Sequence, residues 1–184
     1  MGPAVPEDQI SIRACLECRQ TNAMQEKEFR FQYEGYASDR ELPASDAALL
    51  NIARKTTAHA YAPYSHFRVG AAARMQNGEI VTGTNQENAS FPAGICAERT
   101  LLSAAASRYP GMAIETLAIS YNNELGPSDR PISPCGICRQ SLQEFEQRMG
   151  KPVRLVLGGQ EGKIVVIPRS GLLLPFAFTG DELK

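Results

Sequence analysis

From Ser45 onward the apolar positions of the chain switch between two periods. Leu49, Ile52, Ala53, Thr56 and Ala60 recur at helical spacing, with Ser45 and Asp46 as a start signal and Pro63 as a stop. Phe67, Val69 and Ala71 then alternate as a strand. Asn77-Gly78 supplies a tight hairpin turn, because both residues tolerate positive φ. A second strand returns over 79–85. The spacing next predicts a helix over 95–108, with Leu101, Leu102 and Ala105 facing inward. Leu117, Ile119 and Tyr121 alternate in a third strand, and another helix opens after Pro134. Residues 153–157 and 164–167 read as late strands, and a short helix or turn over 170–174 closes the pattern. A strand pair followed by alternating helices and strands predicts an α/β fold. The expected form is a three-layer α/β/α sandwich around a mixed five-stranded sheet.

Before Ser45 the pattern is weak. Phe29, Phe31 and Tyr33 alternate with polar neighbours across 29–36, as an edge strand or extended arm would. The expected division is therefore an N-terminal arm of unassigned function over 1–44 and one folded domain over 45–184. Met24 is a second candidate for the start of translation, which would make 1–23, with Cys15 and Cys18, an extension.

Composition narrows the function classes. Of 184 residues, 43% are hydrophobic and 21% charged, as in ordinary globular proteins, which excludes collagen-like, coiled-coil and fully disordered readings. No stretch approaches the roughly 20 apolar residues of a membrane span. Residues 1–10 are acidic and proline-bearing and lack the apolar core of a secretory signal. Nineteen basic residues against twenty acidic ones give a net charge of −1, whereas proteins that grip phosphate backbones carry a basic excess. Neither a membrane nor nucleic acid is an expected partner. The cysteine count is five, which is odd and argues for a reducing, cytoplasmic setting where thiols serve metal ligation or catalysis. With only two histidines, His59 and His66, a metal site must rely on sulfur.

The strongest chemical signal is Cys96-Ala97-Glu98 together with Pro134-Cys135-Gly136-Ile137-Cys138, each at a predicted helix start. Pro134 suits a first helical turn, where its missing N–H removes nothing. Cys135 and Cys138 are three apart and share one face of that turn. Free backbone N–H groups and the helix dipole favour thiolate at both starts. Three thiolates leave the fourth tetrahedral position open, and that open position separates catalytic from structural zinc. Zinc with three thiolates is formally −1, an excess that Arg99 and Arg139, close behind the cysteines, are placed to offset by donating to sulfur. Glu98, two residues past Cys96, lies beside the metal without having to bind it and is able to take a proton from water and return it elsewhere. The plainer alternative is three buried core thiols, but Pro134, the arginines and Glu98 weigh against it. Cys15 and Cys18 lack partners and read as incidental. His59 reads as a surface or packing residue and His66 as structural.

Further segments accompany these motifs: Ala62-Pro63-Tyr64-Ser65-His66-Phe67-Arg68-Val69-Gly70-Ala71-Ala72, Asn85-Gln86-Glu87-Asn88 and Leu173-Leu174-Pro175-Phe176-Ala177-Phe178. In order, over about 45–178, they resemble the zinc-dependent cytidine deaminases of the small homotetrameric type. The resemblance makes 45–184 a catalytic domain. It implies one Zn2+ per subunit on Cys96, Cys135 and Cys138, with Glu98 shuttling protons. Hydroxide would attack carbon 4 of the cytosine ring while Glu98 protonates nitrogen 3; loss of ammonia then gives uridine. The Ala97 N–H would bind the position-2 carbonyl, and the Ser133 carbonyl would meet the amino group. Asn85 and Glu87 correspond to the pair that reads the ribose 3′-hydroxyl, a spacing that fits a strand end because residues two apart share a face. Phe67 and a neighbouring subunit's Phe178 would enclose the base, with Tyr64 an inter-subunit contact near the sugar. A homotetramer with shared active sites and a role in pyrimidine salvage follow from the same likeness. Cysteine rather than histidine at position 96 points to the free-nucleoside branch. Simpler roles stay open: core packing for Phe67, a cap or turn for Asn85, and Phe176 in place of Phe178. The competing functions are deamination of a related nucleoside such as blasticidin S, a non-catalytic zinc module, and nucleic-acid editing.

Overall fold

The computed structural model describes residues 24–183. The expectations for Cys15, Cys18 and the 1–23 extension fall outside them. The chain divides into two units, Met1–Arg30 and Phe31–Lys184. In the first, the described residues 24–30 form no regular element, and Arg30 pairs with Glu28 at 2.6 Å.

The second unit runs β1 (Glu34–Tyr36), α1 (Ala44–Thr56), β2 (Phe67–Met75), β3 (Ile80–Thr84), α2 (Ala97–Arg108), β4 (Ile114–Asn123), α3 (Gly136–Met149), β5 (Arg154–Gly158) and β6 (Ile164–Ile167). One sheet holds all the strands in the order β1-β6-β5-β4-β2-β3. Among the described strands only β4 and β5 pair in parallel, so the sheet is mixed.

The two-residue period of the strands divides the core. Ala72, Ala118, Val156 and Val166 pack on one face with Leu49, Leu50 and Ala53 of α1. Their neighbours Ala71, Ala73, Leu117, Ile119, Leu155 and Leu157 face the other way, against Leu101 and Ala105 of α2 and Leu142 and Phe145 of α3. Helices on both faces of one sheet make the expected three-layer α/β/α sandwich. Among the described residues, no helix is long and apolar enough to cross a membrane.

Three boundaries correct the sequence reading. The sheet has six strands rather than five, because β1 pairs antiparallel with β6. Three residues are too short to show alternation, and what holds them is polar. Arg154 donates to both oxygens of Glu34 at 3.1 and 3.2 Å and to Asp46 at 3.1 Å. The first helix stops at Thr56, well before Pro63; the hydroxyls of Thr56 and Thr57 bond back to the Ile52 and Arg54 carbonyls and compete with the helical pattern. The exposed His59 therefore lies in the short 3-10 turn Thr57–His59. Pro134, finally, precedes the N-cap of α3 instead of lying in its first turn, since Cys135 is the cap.

Gly83 positions the chemistry. A Cβ there would lie 2.5 Å from both the Ala97 carbonyl and the Leu101 amide, so β3 touches the backbone of the first turn of α2. Gly83→Ala is expected to cost about 1–3 kcal/mol as α2 is pushed outward. A urea melt checks this, with a lower midpoint at unchanged slope.

Candidate metal centre and substrate cleft

Cys96 and Cys135 are the N-cap residues of α2 and α3, both in extended conformation (φ −76°, ψ 154° and φ −67°, ψ 169°). Their carbonyls accept the first helical bonds, from the Thr100 and Arg139 amides at 3.0 and 2.9 Å. Neither sulfur caps its helix, so each is left to project between the two helix starts. Cys138, on the first turn of α3, completes the group. The Sγ atoms lie 3.7 Å apart for Cys96–Cys135 and 3.3 Å for Cys135–Cys138, and all three are within 4.8 Å of one another. Sulfurs bound at about 2.3 Å to one tetrahedral zinc are separated by about 3.8 Å, close to this spacing.

The electrostatics of the trio favour a cation. Hydrogen bonds from Cys138 and Cys135 bring the Cys96 thiol down to about 6, aided by the nearby Arg99 charge. Cys138 is pushed the other way, by its bond to Cys96 and by burial. Cys96 and Cys138 thus compete for negative charge, and a shared cation would relieve that competition. Glu98, in the first turn of α2, is only 5% exposed. Burial pushes its carboxyl upward, and the adjacent Cys138 thiol offsets part of that rise. It is not one of the clustered ligand atoms.

Cys96 also lines a cleft of about 460 Å3, a size suited to small molecules. Tyr64 and Ser65 form one wall, Asn85–Asn88 another, and Phe91, Gly94 and Ile95 the rest. The Asn85 side chain bridges the end of β2, accepting from the Val69 amide at 2.7 Å and donating to the Phe67 carbonyl at 2.9 Å. Glu87 accepts from the Tyr64 and Ser65 amides at 2.9 and 3.3 Å, and the Ser65 side chain, followed by these amides, holds its carboxyl below the usual range. Phe67 stacks on Tyr121 at 4.8 Å between centroids, and Tyr64 meets Phe91 edge-on at 5.9 Å.

Residues 43–151 match the family model described as the cytidine and deoxycytidylate deaminase zinc-binding region. The chain belongs to the cytidine deaminase family. It is 39% identical to the cytidine deaminase of Halalkalibacterium halodurans over 68% of this chain and 87% of that one. A probable cytidine deaminase of Dictyostelium discoideum is 34% identical over 73% of this chain and 84% of the relative. The crystal structure of the Burkholderia pseudomallei cytidine deaminase superposes with a TM-score of 0.61 at 40% identity, covering 71% of this chain and 97% of that one. The zinc of this deaminase family fits the donor set found here: one ion per subunit on the sulfurs of Cys96, Cys135 and Cys138.

Of the anticipated residues, Tyr64, Asn85, Glu87 and Cys96 line the cleft and Cys96, Cys135 and Cys138 form the thiol cluster, whereas Phe67, Ala97, Glu98, Arg99, Ser133, Arg139 and Phe178 are not among the cleft walls. Ala97 is fully buried, its amide among the first-turn N–H groups of α2 that have no intrahelical acceptor. Ser133 is exposed beside the buried Pro134. Arg139 uses Nε on the Pro134 carbonyl at 2.9 Å and Nη1 on the Leu173 carbonyl at 3.2 Å, so it braces the backbone before Cys135. Phe178 is 59% exposed in the C-terminal segment, tied by its carbonyl to Gln140, and Phe176 is fully exposed at a positive φ of 59°. The sequence pattern assigned no cleft role to Ser65, Gln86, Asn88, Phe91, Gly94 or Ile95, all of which line it. Phe91 alone carried a signal, as an aromatic beside a proline where a core residue was not required.

Proposed function

We propose that this deaminase hydrolyses cytidine and deoxycytidine to uridine and deoxyuridine with release of ammonia. The observation that carries the reading is Cys96, which belongs to the thiol cluster and to the cleft wall at once, with buried Glu98 two residues on in the first turn of α2. Zinc, when bound, supplies a Lewis acid that makes a water nucleophilic near neutral pH. Glu98 would take a proton from the attacking water and deliver it to ring nitrogen 3 as the oxygen adds to carbon 4. It would then take the proton of that new hydroxyl and pass it to the amino group as the carbon–nitrogen bond breaks and ammonia leaves. Its raised proton affinity suits both transfers, because a general acid–base works best near the operating pH. The Ala97 amide binds the position-2 carbonyl and the Ser133 carbonyl holds the amino group. Asn85 and Glu87 read the ribose hydroxyl with the lone pairs and N–H that their loop contacts leave over. Phe67, fixed by Tyr121, forms a face of the base pocket. Arg99 lowers the charge cost of the thiolates through space.

The same reading places Tyr64 and the exposed Phe178 against neighbouring subunits of a homotetramer, with active sites shared between chains. The 50% exposure of Tyr64 at the cleft and the 59% exposure of Phe178 in the C-terminal segment support it, since large apolar side chains otherwise stay wetted. Light scattering checks it, four chains per particle being expected. The thiol ligands suit a reducing, cytoplasmic setting.

Cytidine absorbance, followed with purified protein before and after chelation, tests the activity: turnover is expected to stop on zinc removal and return on zinc addition. Asn85→Ala tests the sugar contact. The KM for cytidine is expected to rise about tenfold, the value of one well-made hydrogen bond, while hydrolysis of free cytosine changes far less. Equal losses on both would leave Asn85 only its bridging role in β2.

A further inference from the structure

We propose that Glu124 is a positioning residue for substrate binding, holding from behind the loop 61–66 whose Tyr64 and Ser65 wall the cleft. The loop needs such support. His66 adopts a positive φ of 55°, a conformation that L side chains rarely hold without help from their surroundings. That residue sets the direction in which the chain enters β2, and so the place of Phe67 and its stack on Tyr121.

Glu124 follows directly on β4 and grips the turn three ways. Its amide donates to the His66 carbonyl at 3.0 Å. One carboxylate oxygen faces the His66 Nδ1 at 3.2 Å, and the other accepts from the Arg68 Nε. Arg68 in turn donates Nη1 to the Ala60 carbonyl at 2.9 Å, so both feet of the loop, Ala60 and His66, are fastened to one carboxylate. The Arg68 and His66 side chains hold that carboxyl below the usual range, which keeps it charged at neutral pH. Glu87 fastens the middle of the same loop from the cleft side. Glu124 lines no part of the cleft. Its effect on substrate therefore passes through Tyr64, Ser65 and Phe67, and should fall on binding rather than on the proton transfers of Glu98.

The kinetic part of this role rests on the proposed deamination. Glu124→Ala is expected to raise the KM for cytidine about tenfold, the cost of a lost charge-assisted contact, with kcat and zinc content within about twofold of wild type. Glu124→Gln, which keeps one acceptor for Arg68, is expected to fall between the two. Hydrogen exchange of the peptide spanning 61–67 is expected to quicken in Glu124→Ala while that of α2 does not change, a result that needs no turnover. Unchanged KM and unchanged exchange would overturn the proposal, as would a joint fall in kcat, zinc and melting temperature. If wild type fails to turn over cytidine, the functional reading fails, and exchange alone decides the role of Glu124.

Discussion

Glu98→Gln is expected to slow cytidine turnover by about 10²- to 10⁴-fold, the usual value of a positioned general acid–base, while zinc stays bound. The amide keeps the shape of the side chain in its buried place on α2 but neither accepts nor returns a proton. Stability should not suffer. Burial already disfavours the ionised carboxyl, and the neutral amide removes that penalty. Steady-state kinetics beside metal analysis and a thermal melt check all three statements. A variant within tenfold of wild type would take the proton shuttle away from Glu98. A variant without zinc would make Glu98 part of the metal cage, against the geometry that leaves it outside the thiol cluster.

Cys135→Ala is expected to lose both zinc and activity. Cys138 is fully buried and its loss would also open a cavity, whereas Cys135 is exposed and little packing depends on it. Changes behind a zinc ligand weaken binding about 10- to 100-fold, so loss of the ligand itself should exceed that. The variant should melt where chelated wild type melts, and chelator should then leave it unchanged. A zinc-loaded, active Cys135→Ala protein would show that a different set of ligands holds the metal.

The parts of this molecule legible in its sequence are those written in local pattern. The strands around Leu117 and Leu155 and the faces of α2 and α3 follow from periodicity, because adjacent residues in each element meet opposite layers. The thiol pair Cys135–Cys138 was legible for the same reason, three residues apart at a helix start. Contacts made across long stretches of chain were not. Glu34 joins the sheet through Arg154, 120 residues away, and His66 finds its partner in Glu124, 58 residues on. No spacing rule reaches that far, so β1 stayed between an edge strand and an arm, and His66 stayed without a partner. Arg139 shows a further limit: its position behind Cys138 suggested sulfur, yet the backbone turn before Cys135 presents carbonyls to it first. The proline ahead of α3 was displaced by one residue because Cys135, kept extended, serves as the cap.

Deamination here depends most on water and cytidine meeting beside Cys96 and Glu98. Incubating zinc-loaded protein with cytidine in oxygen-18 water and weighing the product by mass spectrometry tests this directly. Uridine carrying one heavy oxygen, formed together with an equal amount of ammonia, is the predicted result. Cytidine recovered unchanged from fully zinc-loaded protein, or uridine without the heavy oxygen, would contradict it.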